Sequence, residues 1–240
     1  MIRGTFIAII LATSTLMAAR AEEVPSLQAK LDARNADFTQ NGPPESVALF
    51  EEGVEKIRAA GITNNVLKEG ASAPDFELPS AKGGSVRLTD LLKKGPVVIV
   101  WYRGGWCPYC KLQLKAMQDI LPQIEERGAT LIAISPETPD HSMSTTETNG
   151  LAFDVLSDKD NLIATTYGLV NTMDPDVAAK INTFVSLSDY NGNDRNEFPL
   201  AATFVVSPDS SIRYAFVDED YRRRAEPGAV LAALTPAPQE

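Results

Sequence analysis

Residues 96–102, Pro-Val-Val-Ile-Val-Trp-Tyr, are a continuous β-rich apolar run, and they lead straight into Arg103-Gly-Gly-Trp-Cys-Pro-Tyr-Cys110. A strand without polar alternation is buried on both faces, so this run predicts the centre of a covered sheet. Gly104 and Gly105 allow a sharp turn without Cβ clashes. Pro108 suits the first turn of a helix, where its missing N–H costs nothing. Cys107 is thereby placed at a helix N-terminus, where unpaired N–H groups and the helix dipole favour a thiolate. Cys110 follows one turn later on the same face and can attack whatever forms on Cys107. Arg103, Lys111 and Lys115 add positive charge around the pair.

The rest of the chain alternates. A hairpin is predicted over 75–78 and 85–88 around Gly83-Gly84, and a helix over 108–126 interrupted at Pro122. Strands follow at 129–134 and 153–156, with helical stretches after Thr138 and over 161–167. A variable stretch, 169–200, holds a helix at 174–181 and a loop at 191–194. Strands at 203–206 and 212–217 form a hairpin around Pro208-Asp209-Ser210, and a last helix spans 227–234. Strands alternating with helices and finishing in a hairpin predict an α/β fold with a mixed central sheet flanked by helices. Before it, 22–68 reads as a helical N-terminal extension packed against the main domain, 69–240. Pro43-Pro44-Glu45 opens its better helix, with Val47, Phe50, Val54 and Ile57 on one face and Gly61 after its end.

Composition excludes several chemistries. With 22 Lys+Arg against 32 Asp+Glu, the net charge of -10 argues against a nucleic-acid partner. One histidine and two cysteines leave too few ligands for a Cys/His zinc site, and His141 lies in a polar stretch suited to the surface. Residue 111 is Lys, where c-type haem attachment needs His. A disulfide closing so small a loop would constrain little of the unfolded chain. No cofactor or metal ion is implied. At the N-terminus, Arg3, the apolar stretch 6–17 and Ala19-Arg20-Ala21 have the form of a cleavable signal peptide, 1–21. The expectation is export to a periplasmic or secreted location, where cysteine pairs persist as disulfides, with no stable membrane insertion after cleavage.

Trp-Cys-x-x-Cys at a strand-to-helix junction resembles the thioredoxin superfamily. The stretches Gly70-x-x-Ala-Pro-Asp-Phe-x-Leu78, 102–110, Ala133-Ile-Ser-Pro-Glu137, Leu156-Ser-Asp158, Ala202-Thr-Phe-Val-Val206 and 220–227 are similar to the peroxiredoxin-like branch of the alkyl hydroperoxide reductase/thiol-specific antioxidant family. The resemblance implies a thioredoxin-like fold and a thiol peroxidase. Cys107 would attack a hydroperoxide to give a sulfenic acid, Cys110 would resolve it to a disulfide, and an external dithiol such as a thioredoxin-like protein would restore both.

The resemblance has departures. Gly104 stands where a typical peroxiredoxin has Thr or Ser, and Val100 where it has Pro; Thr203 is the substitute candidate for the missing hydroxyl. These departures keep a second reading open, a thiol–disulfide oxidoreductase acting on exported proteins. Against it, Ala201 occupies the place of the cis-proline of thioredoxin-type exchangers, and Pro199 comes two residues too early. Trp106 is expected to shield the pair while staying partly exposed. The run Arg222-Arg223-Arg224 reads as a solvated charged face, with Asp218, Glu219 and Asp220 as its partners; the functional alternative is that one arginine folds back over Cys107, Arg224 matching the family pattern best.

Overall fold

The computed structural model describes residues 26–235, so the expected signal peptide lies outside the described residues. The helices α1 (Leu27–Asn41) and α2 (Pro44–Ala60) come first. A hairpin of β1 (Glu77–Pro79) and β2 (Ser85–Arg87) and a short α3 (Leu88–Leu92) lead to β3 (Val97–Trp101). Next come α4 (Pro108–Asp119), α5 (Leu121–Glu126), β4 (Thr130–Ser135), α6 (Pro139–Asn149), β5 (Asp154–Ser157) and α7 (Leu162–Thr166). The segment β6 (Val170–Thr172), α8 (Pro175–Asn182), α9 (Leu187–Asn191) and β7 (Glu197–Pro199) precedes the strands β8 (Ala202–Val206) and β9 (Ile212–Val217), and α10 (Pro227–Leu234) ends the fold.

The central sheet runs in the order β5-β4-β3-β8-β9, with β3 parallel to β4, β4 parallel to β5, and β8 antiparallel to both β3 and β9. Strand β3 is the predicted centre, and each of its five residues is fully buried. Its period-two alternation splits the core. Val98, Val100 and Tyr102 face α4, α1 and α10, whereas Val97, Ile99 and Trp101 face α3, Tyr167 and Phe76. Thr203, in register with Val100, shares a face with Val205 on the α4 side.

Two features differ from the sequence expectation. The long helix breaks at Ile120 (φ -102°, ψ 4°), not at Pro122, which sits in the first turn of α5. A proline there needs no N–H partner, so the discontinuity falls ahead of it. Within 169–200, α9 reaches Asn191, and β6 pairs antiparallel with β7 to make a separate two-stranded sheet. Three-residue strands are too short to carry a readable period.

The N-terminal helices are tied to the domain at several points. Leu27 and Leu31 are buried in the same cluster as Leu114 and Met117 of α4. The first two N–H groups of α1, which have no intrahelical acceptor, donate to the Glu226 carboxylate at 3.0 and 2.7 Å. A Cβ on Gly53 of α2 would lie 2.9 Å from Val177 of α8, and Lys56 pairs with Asp174 at 2.7 Å. No helix among the described residues is long and apolar enough to cross a membrane. Because Leu31 is fully buried, Leu31→Ala is expected to cost about 2–4 kcal/mol in urea denaturation. A cost below about 0.5 kcal/mol would show that α1 merely rests on the surface.

Candidate active site

Cys107 is the N-cap of α4, with extended backbone (φ -84°, ψ 119°), and Pro108 opens the helix behind it. Both cysteines are buried and reduced. Their side chains approach to 3.3 Å. Burial by itself pushes the Cys107 thiol up, but other influences overcome it. The Cys110 side chain and backbone N–H donate to its sulfur, and the Arg103 and Arg224 charges add to them. The net result is a Cys107 thiol held low, at about 5. Cys110 moves the opposite way: burial, its hydrogen bond to Cys107 and the neighbouring negative charge keep its proton on. The pair is therefore one thiolate and one thiol, with the thiolate on Cys107.

The three consecutive arginines diverge. Arg224 is 2% exposed and reaches into the domain. Its Nη2 lies 3.6 Å from Cys110 Sγ, its Nε donates to Gln113 Oε1 at 2.8 Å, and its Nη1 donates to the Arg223 carbonyl at 2.8 Å. Its direct sulfur contact is thus with Cys110, whereas the functional alternative put it over Cys107. Among the described residues Arg224 has no carboxylate partner, unlike its two neighbours. Arg222 instead holds Asp220 at 2.7 Å and reaches across to Glu51 of α2 and Asn35 of α1. Arg223 is exposed and pairs with Asp218 at 3.1 Å. Glu219 departs from the expected pairing: its carboxylate accepts from the Thr63 hydroxyl.

Arg103 stacks over the Tyr221 ring at 4.4 Å and the Trp106 ring at 5.0 Å, which fixes its charge beside Cys107. Trp106 is half-buried and meets Phe198 edge-on at 5.6 Å. Thr203 is fully buried, and its hydroxyl accepts from Gln113 Nε2 at 3.3 Å. It stands behind Gln113, one link removed from Arg224. Ala201 is buried, and every described peptide bond is trans. His141 is half-buried and stacks on Tyr190.

Glu137 and Gln113 belong to the site although sequence reasoning assigned them no role. Glu137 is fully buried, and burial raises its carboxyl above the ordinary range even though several donors oppose the shift. Gly105 N–H donates to it at 2.8 Å, Tyr102 O–H at 2.7 Å, Ser135 O–H at 3.2 Å and Thr145 O–H at 3.3 Å. One carboxyl thus joins the end of β3, the glycine turn, the end of β4 and α6. Both glycines are required there: a Cβ on Gly104 (φ +150°) would lie 2.2 Å from Trp106 Nε1, and one on Gly105 would lie 2.0 Å from Thr145 Oγ1. A polar residue within an otherwise apolar face of α4, and an acid directly after a buried strand, were the signals available for finding them.

Residues 70–215 match the model of the AhpC/TSA family. The chain belongs to that family. Curated relatives of two kinds are similar to it. One is the thiol-disulfide oxidoreductase ResA of Bacillus anthracis, 32% identical over 42% of this chain and 57% of its own length. Another is peroxiredoxin Bcp of Escherichia coli K12, 30% identical over 44% of this chain and 67% of its own length. The match to the ResA relatives therefore spans little more than half their length. Among solved structures, peroxidoxin BcpB of Mycobacterium tuberculosis covers 70% of this chain and 96% of its own, with TM-score 0.55 and 23% identity. Peroxiredoxin Q of Xanthomonas campestris covers 71% and 96%, with TM-score 0.53 and 21% identity. These likenesses give the AhpC/TSA chain the thioredoxin-like fold of the peroxiredoxins.

The geometry separates the arginines experimentally. Arg224→Ala is expected to slow oxidation of the reduced protein by peroxide by about 10²–10³. Arg222→Ala is expected to leave that rate within about threefold but to cost about 1.5–3 kcal/mol of stability, because it unties α1 and α2 from the domain. Equal rate losses for the two variants would contradict the assignment.

Proposed function

We propose that this AhpC/TSA protein is a thiol peroxidase that uses Cys107 as nucleophile and Cys110 as resolving thiol. The observation that carries the reading is two buried cysteines 3.3 Å apart at the start of α4, beside a buried arginine that no carboxylate among the described residues neutralises, a setting that favours thiolate on Cys107 and thiol on Cys110. The Cys107 sulfur attacks one oxygen of a hydroperoxide and the O–O bond breaks. The leaving oxygen departs with the electron pair and takes up a proton, giving water or an alcohol, and Cys107 becomes a sulfenic acid. The Arg224 and Arg103 cations favour the thiolate, and their charge opposes the negative charge that develops on the leaving oxygen.

In the second step the Cys110 sulfur attacks Cys107 and gives up its proton, hydroxide leaves and takes up that proton to become water, and a disulfide forms. The two residues lie one turn apart on the same face of α4 and already touch, so this step needs no unfolding of the helix. An external dithiol, such as a thioredoxin-like protein, then reduces the disulfide. With Gly104 in place of the usual hydroxyl residue, the peroxide is held mainly by the cations and the helix terminus, and turnover is expected to be slower than where that hydroxyl is present.

The resemblance to ResA favours one further reading, thiol–disulfide exchange with exported proteins. The two readings separate when the reduced protein is mixed with hydrogen peroxide and, separately, with an oxidised model protein. Faster thiol loss with peroxide supports the peroxidase, and faster loss with the protein disulfide supports exchange.

The proposal includes export, supported by Arg3, the apolar stretch 6–17 and Ala19-Arg20-Ala21. The exported protein is expected to begin at Glu22 by N-terminal sequencing; an intact Met1 in the soluble exported fraction would overturn this. For the catalytic pair, Cys107→Ser is expected to abolish turnover. Cys110→Ser should consume one equivalent of peroxide, form a sulfenic acid detectable by a dimedone-type probe, and stop. Equal single-turnover reactivity of the two variants would reverse or remove the assigned roles.

A further inference from the structure

Cys107 lines a cavity of about 390 Å³, and part of its wall comes from helices that precede the family match. Arg34 and Phe38 of α1 and Phe50 of α2 line it, all before residue 70, where the family match begins. Lys180 of α8 and Phe184, 61% exposed, also line it. A water molecule occupies about 30 Å³ in the liquid, so the space is an order of magnitude larger than hydrogen peroxide needs and falls in the range of sites for larger organic ligands. Phe50 shares a face of α2 with Val47, Val54 and Ile57, and its half-burial follows from its position on this cavity.

The charge of the wall is as specific as its size. Arg34, Arg103 and Lys180 line the cavity and no Asp or Glu does, in a chain where acidic residues outnumber basic ones 32 to 22. Arg103 is committed to the Tyr221 and Trp106 rings beside the sulfur. Arg34 has only an exposed pairing with Asp37 at 3.4 Å, and Lys180 has no carboxylate partner among the described residues. A largely apolar space lined by Cys107 and by two partly exposed cations suits a ligand with a hydrocarbon body, a hydroperoxide and an anionic end.

Resting on the peroxidase reading, we infer that α1, α2 and α8 make the site selective for amphipathic organic hydroperoxides that carry a carboxylate, with Arg34 and Lys180 holding the carboxylate and Phe38, Phe50 and Phe184 covering the chain. The chemistry is that of the step above. The O–O bond breaks, Cys107 becomes a sulfenic acid, and the organic fragment leaves as the hydroxy acid after taking up one proton. These three helices confer preference among peroxides, while the cysteine pair supplies the reduction.

The test uses linoleic acid hydroperoxide, its methyl ester and hydrogen peroxide as oxidants of the reduced full-length exported chain, with both lipids below their aggregation thresholds. The ester keeps the chain and the hydroperoxide but lacks the charge. The expected result is a kcat/KM for the acid about three- to tenfold above that for the ester, equivalent to about 0.65–1.4 kcal/mol. This preference should disappear in the double variant Arg34→Gln, Lys180→Gln, through KM rather than kcat. Equal wild-type values for acid and ester, or a preference that survives the double variant, would overturn the inference while leaving the peroxidase reading intact provided hydrogen peroxide is reduced. Reaction with none of the three oxidants would overturn the peroxidase reading itself.

Discussion

Arg224 is a positive charge taken almost wholly out of water, and among the described residues no carboxylate balances it. An unpaired buried cation costs several kcal/mol, so a stable fold must supply an anion or dipoles in its place. Gln113 Oε1 and the Arg223 carbonyl supply dipoles, and the sulfur pair supplies the anion. The dependence is mutual. A thiolate would be equally costly in this interior without the two arginines, the Cys110 thiol and the Cys110 N–H around it. Charge on Cys107 and charge on Arg224 thus stabilise each other. Burial alone would push the thiol up, and the partners around it outweigh that push.

Around that centre, other groups fix position rather than charge. Glu137 draws the glycine turn, two strand ends and α6 to one carboxyl, so the loop that carries Trp106 and Cys107 is anchored from beneath. Thr203 orients Gln113, and Gln113 orients Arg224. Arg222 faces the other way and ties the loop before α10 to both N-terminal helices. Adjacent arginines of the same type therefore serve opposite ends of the structure, one the sulfur pair and the other the docking of the extension.

Much of this was legible because strong local signals agreed. The apolar run at 96–102, the two glycines and Pro108 each point to the same strand–turn–helix, and the structure places Cys107 and Cys110 where those signals put them. The arginine nearest the pair was also readable as Arg224, although its sulfur contact is with Cys110. Glu137 and Gln113 were not readable, since their importance lies in contacts 32 and 90 residues away in sequence, which no periodicity encodes. The small β6–β7 sheet escaped for lack of length. Of the four apolar residues on one face of α2, only Val54 is fully buried, and Phe50 lines the same space as Cys107, an outcome that periodicity does not reveal.

The central claim is that the reduced protein holds its charge on Cys107 at neutral pH. Ultraviolet absorbance of the thiolate, followed as reduced protein is titrated, tests it directly. The structure predicts one thiolate lost as pH falls through about 5 and absent in Cys107→Ser. Since the folded value lies below that of an unfolded thiol, the thiolate's contribution to stability is fully present only above the unfolded value. It is lost as pH falls toward and through about 5, so the reduced protein should lose stability over that range relative to Cys107→Ser. A thiolate that appears only near the ordinary thiol range of about 8.5, or one that persists in Cys107→Ser, would contradict the account.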